Sequence, residues 1–389
     1  MENKQHEIVI LASEMMKFPA FSIGEDLNIQ GIHDCFLFIS DYLKKAGLNV
    51  EEFSEGGKTP SVYADCSEDG TPDGKILLSG HFDKVSLAFP EQINPVIEND
   101  YLKGRGSSDM LTVVATYMVF MKDLKAGGIK NPGVGLLLVG NEEDGEAEKW
   151  GTPFVLSDLK KRYGYVPELM IVGERTGNPG DVSGLVEHKN RGIIRIHLEA
   201  SGKAGHTATL KGKTAFDKIM ELKEYFIPMI PVHENPAWKN GFMLSYLLTG
   251  ENLNFNTIPG YCKAGFEIRA IPEDSPEISS ALEKLKEKAS LLEIEVNILN
   301  AEAGVESPPS HILIQKLLKA LSVVHGGRPG EYLGKGKPHG TQARFCPEGC
   351  AQVVFGQLGY GPHSADEGHY IPSIMPYYRV LKELATMIR

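Results

Sequence analysis

The chain has 389 residues, 42% hydrophobic and 23% charged, which is ordinary globular composition and enough length for more than one domain. A formal net charge of −11 disfavours a nucleic-acid partner, and no polybasic membrane patch stands out. No apolar stretch approaches bilayer length, and the N-terminus MENKQHEIVILASEMMKFPAF lacks the basic region, apolar core and cleavage site of a signal peptide.

In chain order, His33 to Leu48 carries Phe36, Ile39 and Leu43 at helical spacing and closes on Lys44, Lys45, Ala46 and Gly47, a sensible helix C-terminus. Short continuous apolar runs then recur: ILLSG (76–80), VGLLLVG (134–140) and LMIVG (169–173). Strands buried on both faces of a parallel sheet look like this, although periodicity alone does not separate them from buried helix. Met110 to Leu124 suits a crossover helix, so the first half reads as α/β.

Near Gly184 the character changes. GIIRIHLEA (192–200) and CKAGFEIR (262–269) alternate apolar and polar, as strands with one wet face do, and Thr214–Phe226 and Ile278–Leu292 read as amphipathic helices. From about residue 303 the earlier manner returns, with a helix over 311–325, a buried strand AQVVFG (351–356) and a terminal helix over 376–388. The pattern predicts an α/β domain over 1–184 and 303–389, interrupted by a smaller α+β module over 185–302.

The five cysteines form no disulfide framework, and Cys346 and Cys350 in CPEGC are the close pair. Their spacing differs from CxxC, so they read as two reduced thiols in a loop, and a reducing cytoplasm suits the set.

The residues directly after each buried run carry the chemistry. ILLSG leads to His81 and Asp83, VGLLLVG to Asn141, Glu142 and Glu143, and LMIVG to Glu174. Ligands of open α/β sheets bind beyond the carboxyl ends of the strands, so these groups would meet at one sheet edge. Imidazole with several carboxylates suits zinc or a similar divalent ion. If the strand persists past Gly80, Asp83 lies behind His81 and orients its imidazole. GRGSSDM (104–110) adds Asp109, for which a helix N-cap is the plainer role. YGPHSADEGHYIP (360–372) adds His363, Glu367 and His369. The acidic run 142–148 also fits a solvated loop. His188, His197, His233 and His311 have no motif around them and read as ordinary surface or module residues.

Together GHFDKV, GRGSSDM, GNEEDGE, VGERT, AGHTA, NTIPG with FEIRAIP, and YGPHSADE resemble the motifs of the dinuclear zinc amidohydrolases and metallopeptidases. That family includes acetylornithine deacetylase, succinyl-diaminopimelate desuccinylase, aminoacylase and glutamate carboxypeptidase. The resemblance runs from about residue 8 to the C-terminus. It implies a zinc-exopeptidase-like catalytic domain with a mixed, largely parallel sheet, and an inserted α+β lid and dimerisation domain. It further implies two Zn2+ per subunit, with Co2+ or Mn2+ as substitutes, His81 and Glu174 on one ion, Glu143 and His363 on the other, and Asp109 bridging. Asp83 would orient His81 and Glu142 would be the general base. His206 would reach the partner subunit's site, while Asn256 and Arg269, with Arg344 as a further candidate, would hold the substrate carboxylate.

The implied activity is hydrolysis of an N-acyl amino acid by a cytoplasmic homodimer. A dipeptidase or carboxypeptidase, and a catalytically silent binder of amino-acid derivatives, are the alternatives. The chain departs from the family pattern at Leu111–Thr112, at Arg175, and at GTQAR (340–344); all spare the expected ligands, and Arg175 and the 339–344 loop would border the substrate pocket.

Overall fold

The computed structural model describes residues 2–54, 59–127, 132–144, 150–209, 213–250 and 255–388. Packing divides the chain into two units, one of Met1–His188, Ser307–Lys335 and Thr341–Arg389, the other of Lys189–Glu306 and Gly336–Gly340.

The first unit is built on a six-stranded sheet in the order Asn49–Phe53, Ser61–Asp65, Val134–Val139, Ile76–His81, Leu169–Val172, Ala351–Val354. The last four strands run parallel, and the first two join antiparallel, giving a mixed, largely parallel sheet. All four parallel strands are buried along their whole length, which is why their sequences are mostly apolar and show no alternation.

Helix Thr112–Ala126 is buried from Thr112 through Met121. It lies so close to one strand end that a Cβ on Gly173 would come within 2.6 Å of both Tyr117 Oη and Val113 Cγ1. Helix Ile29–Lys45 starts on Asn28, whose side chain accepts the Gly31 N–H, and ends with Lys44 and Lys45 against the negative end of its dipole. The N-terminal helix Glu2–Met16, which the sequence pattern did not single out, is tied down by Lys84. The fully buried Nζ of Lys84 donates to Met16 O and Phe18 O, each at 2.7 Å.

A smaller antiparallel sheet, ordered Gly359–Tyr360, Gly368–Tyr370, Tyr101–Lys103, Val96–Glu98, carries the turn that holds His363. On it His369 is buried, and its Nε2 meets no hydrogen-bond partner among the described residues. Burial pushes this imidazole down to about 3, from an ordinary value of about 6.5. Between those values the unfolded chain binds a proton that the folded chain does not, so stability rises with pH across that window. The His369 contribution is therefore complete above about pH 6.5 and declines toward pH 3 by about 1.4 kcal/mol per unit. In urea unfolding at a series of pH values, His369→Gln is expected to flatten this acid limb; parallel pH profiles for parent and variant would contradict it.

The second unit has its own four-stranded antiparallel sheet, ordered Gly241–Leu248, Tyr261–Ala270, Gly192–Ser201, Ile294–Glu302. Helices Ala215–Phe226 and Ser275–Leu291 supply Ile219, Leu222 and Leu285 to a core shared with Ile194, Ile196, Leu198, Phe266 and Ile268. Alternation along the strands leaves Arg195, Glu267 and Arg269 off that core, paired with one another. Thr214 and Asp217 close a reciprocal capping box on the first of the two helices. No described helix is long and apolar enough to cross a membrane.

Candidate metal centre

The parallel register sets the ends of three strands side by side: Val139 pairs with His81, and Ser79 with Val172. Residues 142, 143 and 174 come just after those ends, so the sheet topology alone brings His81, Glu142, Glu143 and Glu174 to one edge.

The strand does persist past Gly80, through His81. His81 Nδ1 donates to the Asp83 carbonyl oxygen at 3.1 Å, and Asp83 Oδ1 lies 3.4 Å from the same nitrogen. A carbonyl only accepts, so the Nδ1 hydrogen is fixed and Nε2 presents a lone pair. That lone pair faces Asp109 Oδ1 at 3.2 Å. Two electron-pair donors at this distance call for a proton or a metal cation between them.

Asp109 does not cap the next helix. Leu111 takes the N-cap position of Thr112–Ala126 without a side-chain bond, and Asp109 has extended backbone angles (φ −131°, ψ 91°). Its carboxylate instead lies between two imidazoles, with Oδ2 3.2 Å from His363 Nε2. His363 also meets Glu143 Oε2 at 3.0 Å and sits on left-handed backbone (φ 63°), uncommon for a residue with a side chain.

Glu142 and Glu143 diverge, but for a different reason from the strand alternation expected of them. The strand ends at Val139 and residues 142–144 form a turn. The Asp83 carboxylate grips both backbone N–H groups of that turn, Glu142 N at 3.1 Å and Glu143 N at 3.0 Å, and accepts Ser22 Oγ at 2.5 Å. Glu143 then reaches His363, while Glu142 Oε1 lies 3.4 Å from Arg344 Nη1. Residues 145–148 of the acidic run lie outside the described residues.

Two sets of donor atoms each fall within 4.8 Å of one another: His81, Glu142 and Glu174, and His81, Asp109 and Glu143. The crowding sets the electrostatics. Burial pushes Glu142 well above the carboxylate range, with Glu174 and Glu143 adding to the effect. Burial and Asp109 bring Glu143 up to about 7. Asp109, buried as it is, is held far below its ordinary value by His363 and His81. Asp109 and Glu143 raise His363 to about 10. Carboxylates and imidazoles gathered at this spacing form an oxygen and nitrogen donor set, which fits a divalent ion of the zinc type.

The remaining candidates lie in the second unit. His206 is exposed, on the short strand Gly205–His206 paired with Thr257–Ile258, and its Nδ1 accepts the Ala208 N–H at 3.1 Å. Asn256 sits next to it, its carbonyl accepting the Thr207 N–H. Arg269 lies on the side of its strand away from the core, but Glu267 already engages it through Nε at 2.9 Å and Nη2 at 2.8 Å. His188, expected at a surface or in the module, is buried in the first unit, where it bonds Ser307 O.

The sequence reading missed the supports. Glu367 Oε1 accepts the N–H groups of Ser108 and Asp109, and its Oε2 meets Arg105 Nη1 at 2.7 Å in a fully buried ion pair. Arg105 also donates to Ser86 O. The two residues sit inside GRGSSDM and YGPHSADE, where a base and an acid were visible but their pairing was not. Gln342 bonds Ser79 Oγ, Gly80 O and Thr152 Oγ1, bracing the segment of Arg344 against the strand that ends in His81. Nothing in the sequence signals the Ser22 bond.

The profile of peptidase family M20/M25/M40 matches residues 77–387. The chain belongs to this family. It is a metal-dependent hydrolase of the metallopeptidase class. It is 25% identical to a succinyl-diaminopimelate desuccinylase of Pelagibacter ubique over 400 aligned residues, 97% of each chain. It is 27% identical to the same enzyme of Hydrogenovibrio crunogenus over 86% of this chain and 88% of the relative. Among solved structures its fold is similar to an M20 metallo-carboxypeptidase of Sulfolobus solfataricus (TM-score 0.77, 15% identity, 99% of each chain). Human carnosine dipeptidase 1 is also similar in fold (TM-score 0.74, 15% identity, 99% of this chain and 96% of that one).

Proposed function

We propose that this enzyme hydrolyses the amide bond of an N-acyl amino acid, in the manner of a deacetylase or desuccinylase, with Glu142 as general base. The observation carrying the reading is the meeting of His81, Glu142, Glu143 and Glu174 at strand ends with Asp109, from the turn before helix Thr112–Ala126, and His363, from a turn of the smaller sheet. In this reading His81 and Glu174 would hold one divalent ion and Glu143 and His363 a second, Asp109 would serve both, and Zn2+ would be the native metal. Such a pair of ions, when bound, lowers the pKa of water and polarises the scissile carbonyl.

The chain's own groups do the rest. Asp83 fixes the His81 tautomer and the direction of the 142–143 turn. Glu142 takes a proton from water and delivers it to the leaving amine, a task suited to a carboxyl whose proton affinity burial raises. Arg344, beside Glu142, is assigned to the substrate carboxylate; Asn256 and Arg269 are further candidates for that role, and at Arg269 a substrate would join Glu267 on the guanidinium. In a homodimer formed through the second unit, His206 of the partner subunit stabilises the negative charge that develops on the carbonyl oxygen.

The relatives named as desuccinylases support the acyl-amino-acid class. The test is release of free amine by Zn2+-loaded protein from a panel of acetyl-amino acids, succinyl-amino acids and dipeptides, before and after chelation. Turnover of an acetyl- or succinyl-amino acid that a chelator abolishes and Zn2+ restores is expected. Turnover of dipeptides alone would move the assignment to dipeptidase, and binding without turnover would make the chain a silent homologue.

A further inference from the structure

The thiols of Cys346 and Cys350 take no part in the chemistry above, yet the fold brings them together. Pro347 to Cys350 forms a tight turn, closed by Cys350 N–H to Pro347 O at 3.0 Å, with Gly349 at φ 88° where a type II turn needs it. Both sulfurs converge on one carbonyl: Cys350 Sγ lies 3.1 Å and Cys346 Sγ 3.5 Å from Ala351 O. Cys346 Sγ also meets Cys350 O at 3.2 Å. Both residues are partly exposed, whereas Cys35, Cys66 and Cys262 are buried. The turn connects the 3-10 helix Gln342–Phe345, which bears Arg344, to the buried strand Ala351–Val354.

We infer that Cys346 and Cys350 are a modification site, a dithiol that closes to an intrachain disulfide by exchange with a small-molecule disulfide and thereby shifts how Arg344 is presented. One of the two thiolates attacks one sulfur of glutathione disulfide, expelling one glutathione thiolate and leaving a mixed disulfide on that cysteine. The other cysteine then loses its proton and attacks the protein sulfur of that mixed disulfide, expelling the second glutathione. Two protein thiols give up two electrons and two protons, and one glutathione disulfide becomes two thiols. The five-residue ring from Cys346 to Cys350 begins right after the helix that holds Arg344, so closing it restrains that helix from its C-terminal side.

The effect on Arg344 rests on the proposed substrate role of that residue; the disulfide itself does not. Metal-loaded protein is equilibrated in buffers of graded glutathione to glutathione-disulfide ratio, trapped with an alkylating agent, and digested to the peptide spanning both cysteines. The peptide is expected to lose two hydrogens and carry neither alkyl nor glutathione groups. KM for the best panel substrate is expected to shift by at least about threefold between reduced and oxidised protein. Cys346→Ser and Cys350→Ser should keep the basal activity of the reduced parent and lose the redox response of KM. Persistent mixed disulfide, or two thiols alkylated at every ratio, would overturn the site. An unchanged KM in the closed form would overturn its link to Arg344. Mass is read without substrate, so a failure of the hydrolase reading leaves the disulfide result standing.

Discussion

Glu142→Gln is expected to lower kcat by about 10²–10⁴-fold while leaving metal content and KM close to those of the parent. The substitution keeps the size and the hydrogen-bonding edge of the side chain but removes the group that can accept a proton from water. The backbone should hold, because the turn is fixed through its N–H groups by Asp83 and not through the Glu142 side chain. The decisive comparison is steady-state kinetics alongside metal analysis of the same preparation. Glu142 shares a 4.8 Å cluster with His81 and Glu174, so a ligand role is the competing assignment. A loss of metal in proportion to the loss of activity would make Glu142 a ligand and remove it as the base.

The second large effect lies one layer out. Glu367→Ala strips the partner from Arg105, whose side chain is 3% exposed, and is expected to cost about 3–5 kcal/mol of unfolding free energy as an uncompensated buried charge. It also frees the N–H groups of Ser108 and Asp109 that Glu367 holds, so the metal affinity of the centre should fall by about 10–100-fold. Glu367→Gln retains an acceptor for those two N–H groups and should keep more of the metal affinity than the alanine variant, while still losing the ion pair. Denaturant unfolding and metal titration on the two variants separate the contributions. Equal metal affinity in all three proteins would show that the Glu367 carboxylate does not set the position of Asp109.

The parallel core was legible in the sequence because burial on both faces leaves no alternation to disguise it: the runs at 76–80, 134–140, 169–173 and 351–356 are strands, and 110–124 is largely one helix. The groups just beyond those runs could be read as neighbours from the geometry of strand ends alone. The antiparallel strands Asn49–Phe53 and Ser61–Asp65 and helix Thr152–Tyr163 were not legible. The two strands are five residues each, too short for a periodic signal to stand out, and Ser61–Asp65 is buried throughout despite its polar ends. Asp109 illustrates a different limit. Its place before an apolar run fits an N-cap as well as a bridging carboxylate, and only the partners of its two oxygens, on chain segments 28 residues before it and 254 residues after it, distinguish the roles. The supports Ser22, Arg105 and Glu367 act through single contacts between remote segments, which no local pattern encodes.

All six side chains gathered at the strand ends belong to the first of the two packing units, and so does the carboxylate that holds them in line. His206, Asn256 and Arg269 belong to the stretch that interrupts it, which has a hydrophobic interior of its own. Of the residues assigned to the substrate carboxylate, Asn256 and Arg269 are thus written in the inserted length of polypeptide, and Arg344 in the length that carries the metal centre. Exchange of the inserted length between relatives would alter substrate contacts while sparing the metal ligands, provided that the newcomer keeps a histidine in the place of His206.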